Sequence, residues 1–225
     1  MKTEIFNYKL EEFNFTKIIQ DFLEVEDLSK IAMGTNHETI SDGNSLYKNM
    51  EQTEHYKKLY EALDSEKGAI FYKTYRKFIQ QIIRPQYDEP ILFQEKPTHR
   101  ILFKNGGGIS RFHRDSDYGH NKAEINYFLP QTPAFDTNTL WIESEVGKED
   151  FEPIILKPGQ VVRFKGVNLM HGAKINQTQK TRVSFDFRVI PLSQKPIEIV
   201  DTTTWKEEDK KNFLFKNAHN FILVK

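Results

Sequence analysis

Near residue 90 the chain changes its pattern of apolar and polar positions. Before that point apolar residues recur at helical spacing: Phe15, Ile18, Ile19, Phe22 and Leu23 in one stretch, and Phe71, Tyr75, Phe78, Ile79, Ile82 and Ile83 in another that Pro85 ends. Both stripes are one-sided and predict amphipathic helices that buttress one sheet. Between them, residues 29–52 hold Gly34, Asn36, His37, Ser41, Asp42, Gly43, Asn44 and Ser45, too polar and broken for a regular element. A connection this long is either a lid or binding loop, with His37 and Tyr47 as its candidate contacts, or a plain surface loop.

Beyond residue 90 the period shortens to two. Strands are predicted over 98–104, 109–115, 124–129, 137–144, 152–156, 160–164, 172–176 and 182–190. The clearest run, from Thr181 to Ile190, sets Val183, Phe185, Phe187 and Val189 on one face and Arg182, Ser184, Asp186 and Arg188 on the other. Asn105-Gly106 and Lys157-Pro158-Gly159 are turn sequences. Strands in about this number suit a double-stranded β-helix, so the expected class is mainly β with flanking helices (α+β), a jelly-roll or cupin-like barrel. With 225 residues one elaborated domain, 1–225, is expected: helical over 1–90, barrel core over 91–192, and a C-terminal extension over 193–225 with a candidate terminal helix at 205–215. There is no internal repeat and no low-complexity tract.

Charge and composition remove several functions. The 32 basic and 32 acidic residues cancel, which leaves no global footprint for nucleic acid or an anionic membrane. The chain has no cysteine, so disulfides and thiolate metal sites are excluded. No apolar run is long enough for a signal peptide or a membrane span, and a cytoplasmic location is expected. A homodimer is compatible with the neutral charge.

The candidate chemistry lies in the β region. His113 and Asp115, on an extended strand after Gly106-Gly107-Gly108, would project to the same side. His171 follows the buried run Val161-Val162-Arg163-Phe164 and precedes Gly172, which permits close backbone approach. His-x-Asp alone arises often by chance, and a lone His171 reads equally as a capped loop residue. Together, two imidazoles and one carboxylate on one face of a metal ion leave the remaining positions open, an arrangement that suits non-haem Fe(II) oxygenases. If the polar face of 182–190 points inward, Arg182 offers a planar fork for a carboxylate and Ser184 a hydroxyl beside it; if outward, Arg182 pairs with Asp186 in solvent.

The order His-x-Asp, distal His, then Arg-x-Ser resembles the Fe(II)/2-oxoglutarate-dependent oxygenases. More narrowly, residues 112–120, 124–130, 138–144 and 181–189 resemble oxygenases encoded with streptomycin-type aminoglycoside and cell-surface sugar pathways, and the likeness covers residues 98–192. The resemblance implies His113, Asp115 and His171 as iron ligands, with Arg182 and Ser184 holding the distal carboxylate of 2-oxoglutarate. It also implies O2 as co-reactant, with succinate and carbon dioxide as products. Halogenating members of the superfamily lack the carboxylate ligand, so Asp115 favours hydroxylation or another oxidation.

Asn126 is read as an amide aimed at 2-oxoglutarate or substrate, or as a polar barrel position bonded to a neighbour. The expected substrate is a polar small molecule such as a sugar, aminocyclitol or nucleotide-linked intermediate. Asp117, His120, Trp141, Glu143 and Arg188 are its candidate contacts. Asp117 also competes with Asp115 as the carboxylate ligand, Trp141 also reads as core and Arg188 as the partner of Asp186; Trp141 and Glu143, at period two on one predicted strand, should face the same way. Two other functions fit a related barrel: a metal-dependent sugar isomerase or epimerase, and a non-catalytic ligand-binding module.

Overall fold

The computed structural model describes residues 2–32, 53–104, 106, 112–194 and 221–225. His37, Tyr47, the Gly107-Gly108 turn and the helix expected at 205–215 lie outside the described residues.

The first predicted helix is α1, Phe15–Leu23. The Asn14 side chain accepts the Lys17 N–H at its N-terminus, and Phe15, Ile19, Phe22 and Leu23 are buried. A second helix, α2 (Glu54–Asp64), was not anticipated, although Thr53 caps it and Tyr56, Leu59 and Leu63 form its buried stripe. The Phe71 to Ile83 stripe is α3 (Gly68–Phe78), which widens into a π-helical turn over Ile79–Ile83. It tightens over Arg84–Gln86, where Pro85 has no N–H with which to continue.

Ten strands follow the chain among the described residues: β1 (Glu4–Asn7), β2 (Ile91–Gln94), β3 (Thr98–Leu102), β4 (Ile125–Pro130), β5 (Leu140–Ile142), β6 (Glu152–Pro153), β7 (Gln160–Phe164), β8 (His171–Ala173), β9 (Arg182–Pro191) and β10 (Phe221–Val224). They form two antiparallel sheets. The larger runs β1-β7-β4-β9-β2-β10, with β3 also on β9, and the smaller runs β6-β5-β8. β9 organises the larger sheet: β4 lines one side, while β3 pairs with its first half and β2 with its last residues.

The predicted strand at 109–115 is not formed among the described residues. His113 makes an isolated antiparallel bridge to His171, Arg114 is extended, and Asp115 opens a tight 3₁₀ turn, Asp115–Tyr118, that Gly119 ends in the left-handed conformation. The predicted strands at 137–144, 152–156 and 172–176 shorten to β5, β6 and β8.

Alternation decides what each face of the large sheet meets. Val183, Phe185, Phe187 and Val189 of β9, with Ile125, Tyr127 and Leu129 of β4, pack against the aromatic stripes of α1 to α3. The opposite face sends Phe128, Val162 and Phe164 against Ile142, Leu156 and Leu169 from the region of the small sheet. The two sheets therefore face one another across a thin apolar layer, without closing into a barrel among the described residues. No described helix is long and apolar enough to cross a membrane.

Among the polar side chains buried on the helix side is a histidine. His99 of β3 lies among Phe71, Tyr60 and Phe185, with ring centroids 4.9, 6.1 and 5.5 Å away, and neither ring nitrogen has a hydrogen-bond partner. Burial depresses its pKa to about 3, so it is neutral when folded. The unfolded chain binds a proton that the folded one refuses. Stability from this residue is therefore present above about pH 6.5 and is lost as pH falls toward about 3, by up to about 1.4 kcal/mol per pH unit. Substituting His99→Phe removes this dependence. The difference in melting temperature between variant and wild type should move in the variant's favour as pH falls from 7.5 to 5; a constant difference would contradict a neutral His99.

Candidate metal centre

His113 and His171 are brought together by backbone pairing. The His113 N–H donates to the His171 carbonyl at 3.0 Å and the His171 N–H returns to the His113 carbonyl at 2.9 Å. Residues directly opposite in an antiparallel bridge send their side chains to the same face, and the two imidazole centroids stand 4.7 Å apart. Asp115 joins them through the turn rather than through the pleat of a strand. Its N–H donates to the Gly166 carbonyl at 2.9 Å. Asp115 Oδ1 then lies 3.4 Å from His113 Nε2 and 3.5 Å from His171 Nε2. The ligand atoms of the three residues all fall within 4.8 Å of one another, a group that can hold a metal ion.

The surroundings prepare these atoms. His171 Nδ1 is 2.9 Å from the Leu169 carbonyl, which can only accept, so Nδ1 carries the proton and Nε2 presents its lone pair to the site. Asp115 Oδ2 accepts from Asn126 Nδ2 at 2.7 Å and from Arg188 Nε and Nη2 at 3.2 and 3.1 Å. Burial alone would raise the Asp115 pKa. The contacts with His113 and His171 and the Arg188 charge outweigh it and hold the carboxyl well below the usual range. Arg188 in turn reaches Glu124 at 3.3 Å, and Glu124 is bonded to His120 Nδ1 at 2.9 Å.

Inward positions of β9 line a cavity of about 70 Å³ whose wall also includes His171, Asn126, Phe128, Phe164 and Arg100, with Arg182 and Asp186 contributed by β9. The polar face of this strand thus points into the protein. Arg100 Nε donates to Asp186 at 3.1 Å. Arg182 makes a different set of contacts from the Asp186 pair considered for an outer strand: its guanidinium lies over the Phe128 ring at 5.2 Å and its buried Nε has no partner. Burial and the nearby Arg100 charge lower its pKa to about 10, against an opposing pull from Asp186, so it remains cationic at neutral pH. Two positions along, the buried Ser184 hydroxyl is also without a partner.

The other candidates fall elsewhere. Asp117 is exposed and accepts the Arg114 N–H at 2.9 Å, capping the turn instead of competing for the metal. Arg188 and Asn126 are engaged with Asp115, as described above. Trp141 is half-buried rather than core. It alternates with Leu140 and Ile142, which face inward, so its ring is on the outer side of the small sheet, with Lys174 Nζ 3.3 Å from its centroid. Glu143 lies beyond the end of β5 and is fully buried. It accepts the Met170, Gly147 and Glu149 N–H groups at 2.6, 2.9 and 3.2 Å and stands 3.8 Å from Arg114, tying together the two segments that bear the histidines.

Sequence reasoning missed Glu124 and Gly166. Glu124 is four residues from His120 and two before Asn126, a spacing that could have marked it as part of the same polar cluster. Gly166 is required sterically: a Cβ there would meet Asn126 Oδ1 at 2.7 Å.

No family model matches the chain. It is 30% identical over 186 residues to the streptomycin biosynthesis protein StrG of Streptomyces griseus, and the match spans 83% of each chain. The chain belongs to the StrG family. Among solved structures, EctD from S. alaskensis with 2-oxoglutarate and 5-hydroxyectoine superposes with a TM-score of 0.54 at 13% identity, covering 86% of this chain and 73% of that one. At that identity the likeness is one of fold.

In this StrG-family chain, Gly166→Ala should cost about 1–3 kcal/mol in thermal or urea unfolding by driving Asn126 off Asp115. Because the clash is with the Asn126 amide, the cost should fall by roughly half or more in an Asn126→Ala background. Additive costs would contradict the contact.

Proposed function

We propose that the chain is an Fe(II)- and 2-oxoglutarate-dependent oxygenase that hydroxylates or otherwise oxidises a polar small molecule. The observation that carries this reading is one cavity whose lining holds both His171, of the His/Asp/His group, and Arg182, whose buried Nε has no partner, with the unpartnered Ser184 hydroxyl two positions along the same strand. The donor set suits Fe(II), since neutral imidazoles and a single carboxylate leave open positions.

Charge supports a dicarboxylate as the second ligand. A divalent ion with Asp115 leaves one net positive charge at the metal. Arg182 leaves another on the cavity wall, because Arg100 and Asp186 offset each other. Buried charge of this kind calls for a counter-ion. Once bound, Fe(II), 2-oxoglutarate and O2 supply an oxidative decarboxylation, yielding succinate and carbon dioxide, that is coupled to oxidation of a substrate C–H bond.

The protein's own contribution is positional. His113, Asp115 and His171 fix the ion. Arg182 grips the distal carboxylate through its fork and Ser184 donates beside it, so the cosubstrate lies in one orientation. Phe128, Phe164 and Leu140 line the cavity and exclude water.

The substrate class follows the relative's place in streptomycin biosynthesis: a sugar, aminocyclitol or nucleotide-linked intermediate. The facing antiparallel sheets and the likeness to EctD support a double-stranded β-helix as the architecture. The reducing cytoplasm, where Fe(II) is retained, is the proposed location.

Anaerobic titration of metal-free protein with Fe(II) and 2-oxoglutarate tests the reading through the weak visible charge-transfer band of the chelate. Wild type should show the band and His113→Ala should abolish it. Arg182→Ala should weaken 2-oxoglutarate binding about tenfold or more, the loss expected for a charge-assisted pair. No band in wild type at saturating concentrations would contradict the oxygenase. Metal-dependent turnover of a sugar without O2 would support the isomerase or epimerase instead.

A further inference from the structure

The protein treats the two oxygens of Asp115 differently. Oδ1 faces the histidine Nε2 atoms at 3.4 and 3.5 Å. Oδ2 takes three donors, one from Asn126 and two from Arg188, at 2.7 to 3.2 Å. An oxygen with two lone pairs is saturated by such a set and has nothing left for a metal. Asn126 and Arg188 are register partners across β4 and β9, so their side chains leave the same face of the sheet and converge on one atom. Each is held in turn. Asn126 Oδ1 accepts the Gly166 N–H at 3.2 Å, which orients its amide nitrogen toward Asp115. Arg188 is gripped from behind by Glu124, itself fixed by His120 Nδ1 at 2.9 Å and the Asn121 N–H at 3.1 Å.

We propose that Arg188 and Asn126 are positioning residues that confine Asp115 to one-oxygen ligation and thereby reserve a coordination position for the cosubstrate. This rests on the oxygenase reading above. A carboxylate free to swing can bring both oxygens to a metal. The facial arrangement leaves three positions, of which a chelating 2-oxo acid needs two and O2 the third. Two-oxygen ligation would leave only two, and cosubstrate and O2 would then compete. Losing the clamp should therefore weaken cosubstrate binding more than metal binding, whereas damage to the scaffold would weaken both. The planar guanidinium supplies two donors in a fixed fork; lysine keeps the charge but cannot reproduce that grip.

The test uses Mn(II), which does not react with O2 in the complex, on wild type, Asn126→Ala and Arg188→Lys. Calorimetry gives the Mn(II) affinity, and titration of the Mn(II)-loaded protein with 2-oxoglutarate, followed by the Mn(II) paramagnetic resonance spectrum, gives the cosubstrate affinity. Asn126→Ala removes one neutral donor and leaves no buried charge unpaired, so it keeps the test open if the arginine variant folds poorly. Both variants should bind Mn(II) within about threefold of wild type and 2-oxoglutarate about tenfold or more weakly, the scale of one lost charge-assisted contact. Parallel loss of both affinities would overturn the clamp in favour of a purely structural role, and unchanged 2-oxoglutarate affinity would show it idle. A wild-type protein that binds no Mn(II), or whose Mn(II) complex ignores 2-oxoglutarate, would sink the oxygenase reading and the clamp with it.

Discussion

Burying the Asp115 carboxylate is the constraint on which the rest of the site depends. An isolated ionised carboxyl taken out of water is costly, and the protein meets that cost with two imidazoles on one oxygen and an amide and a guanidinium on the other. Each of those partners needs its own support: Gly166 and Leu169 carry backbone groups to Asn126 and His171, and Glu124 backs Arg188. Such networks add little net stability compared with a well-packed apolar core. Removing the charged partner, Arg188, is nonetheless expected to cost about 3–5 kcal/mol, because it leaves buried carboxylate charge without compensation. Their product is geometry, a fixed carboxylate with one oxygen directed at the histidines.

The helices set this geometry from the far side of the sheet. The aromatic stripes of α1 and α3 fill the outer face of β9, where Val183, Phe185, Phe187 and Val189 are fully buried. Because the side-chain period of a strand is two, a slip of one residue would exchange these four with Arg182, Ser184, Asp186 and Arg188. Packing on one face thus determines which polar groups enter the cavity on the other. The same face of β9 thus carries Arg182 on the cavity wall and, six residues on, Arg188 against Asp115. Glu143 plays the corresponding part for the loops, holding the Met170 backbone close to Arg114.

Much of this was legible in local pattern. α1, α3, β7 and the alternation of β9 follow from periodicity, because each buries one regular face. That His113, Asp115 and His171 would meet could be anticipated from their order and their flanking strands, although Asp115 reaches the group through a turn. The missing pieces depend on contacts remote in the chain. Asn126 and Arg188 reach Asp115 across 11 and 73 residues, and no spacing announces which oxygen they take. Trp141 and Glu143, at period two, are expected to face the same way and do not: the strand ends at Ile142, Trp141 stays on the outer side, and the buried Glu143 turns to serve backbone N–H groups. β1, β2 and β10 are four-residue strands that the pattern reading passed over; β1 and β10 lie at the two ends of the large sheet, and β2 pairs with only the last residues of β9.

We infer that one clamped carboxylate and two histidines make a single open metal site, with Arg182 on the wall of the cavity that His171 also lines. Anomalous diffraction at the manganese edge, from crystals grown with Mn(II) and 2-oxoglutarate, tests it most directly. The peak should be bounded by His113 Nε2, His171 Nε2 and Asp115 Oδ1 alone, with Asp115 Oδ2 still on Arg188 and the distal carboxylate of 2-oxoglutarate on Arg182. A peak away from these residues, or one bound by both oxygens of Asp115, would contradict it.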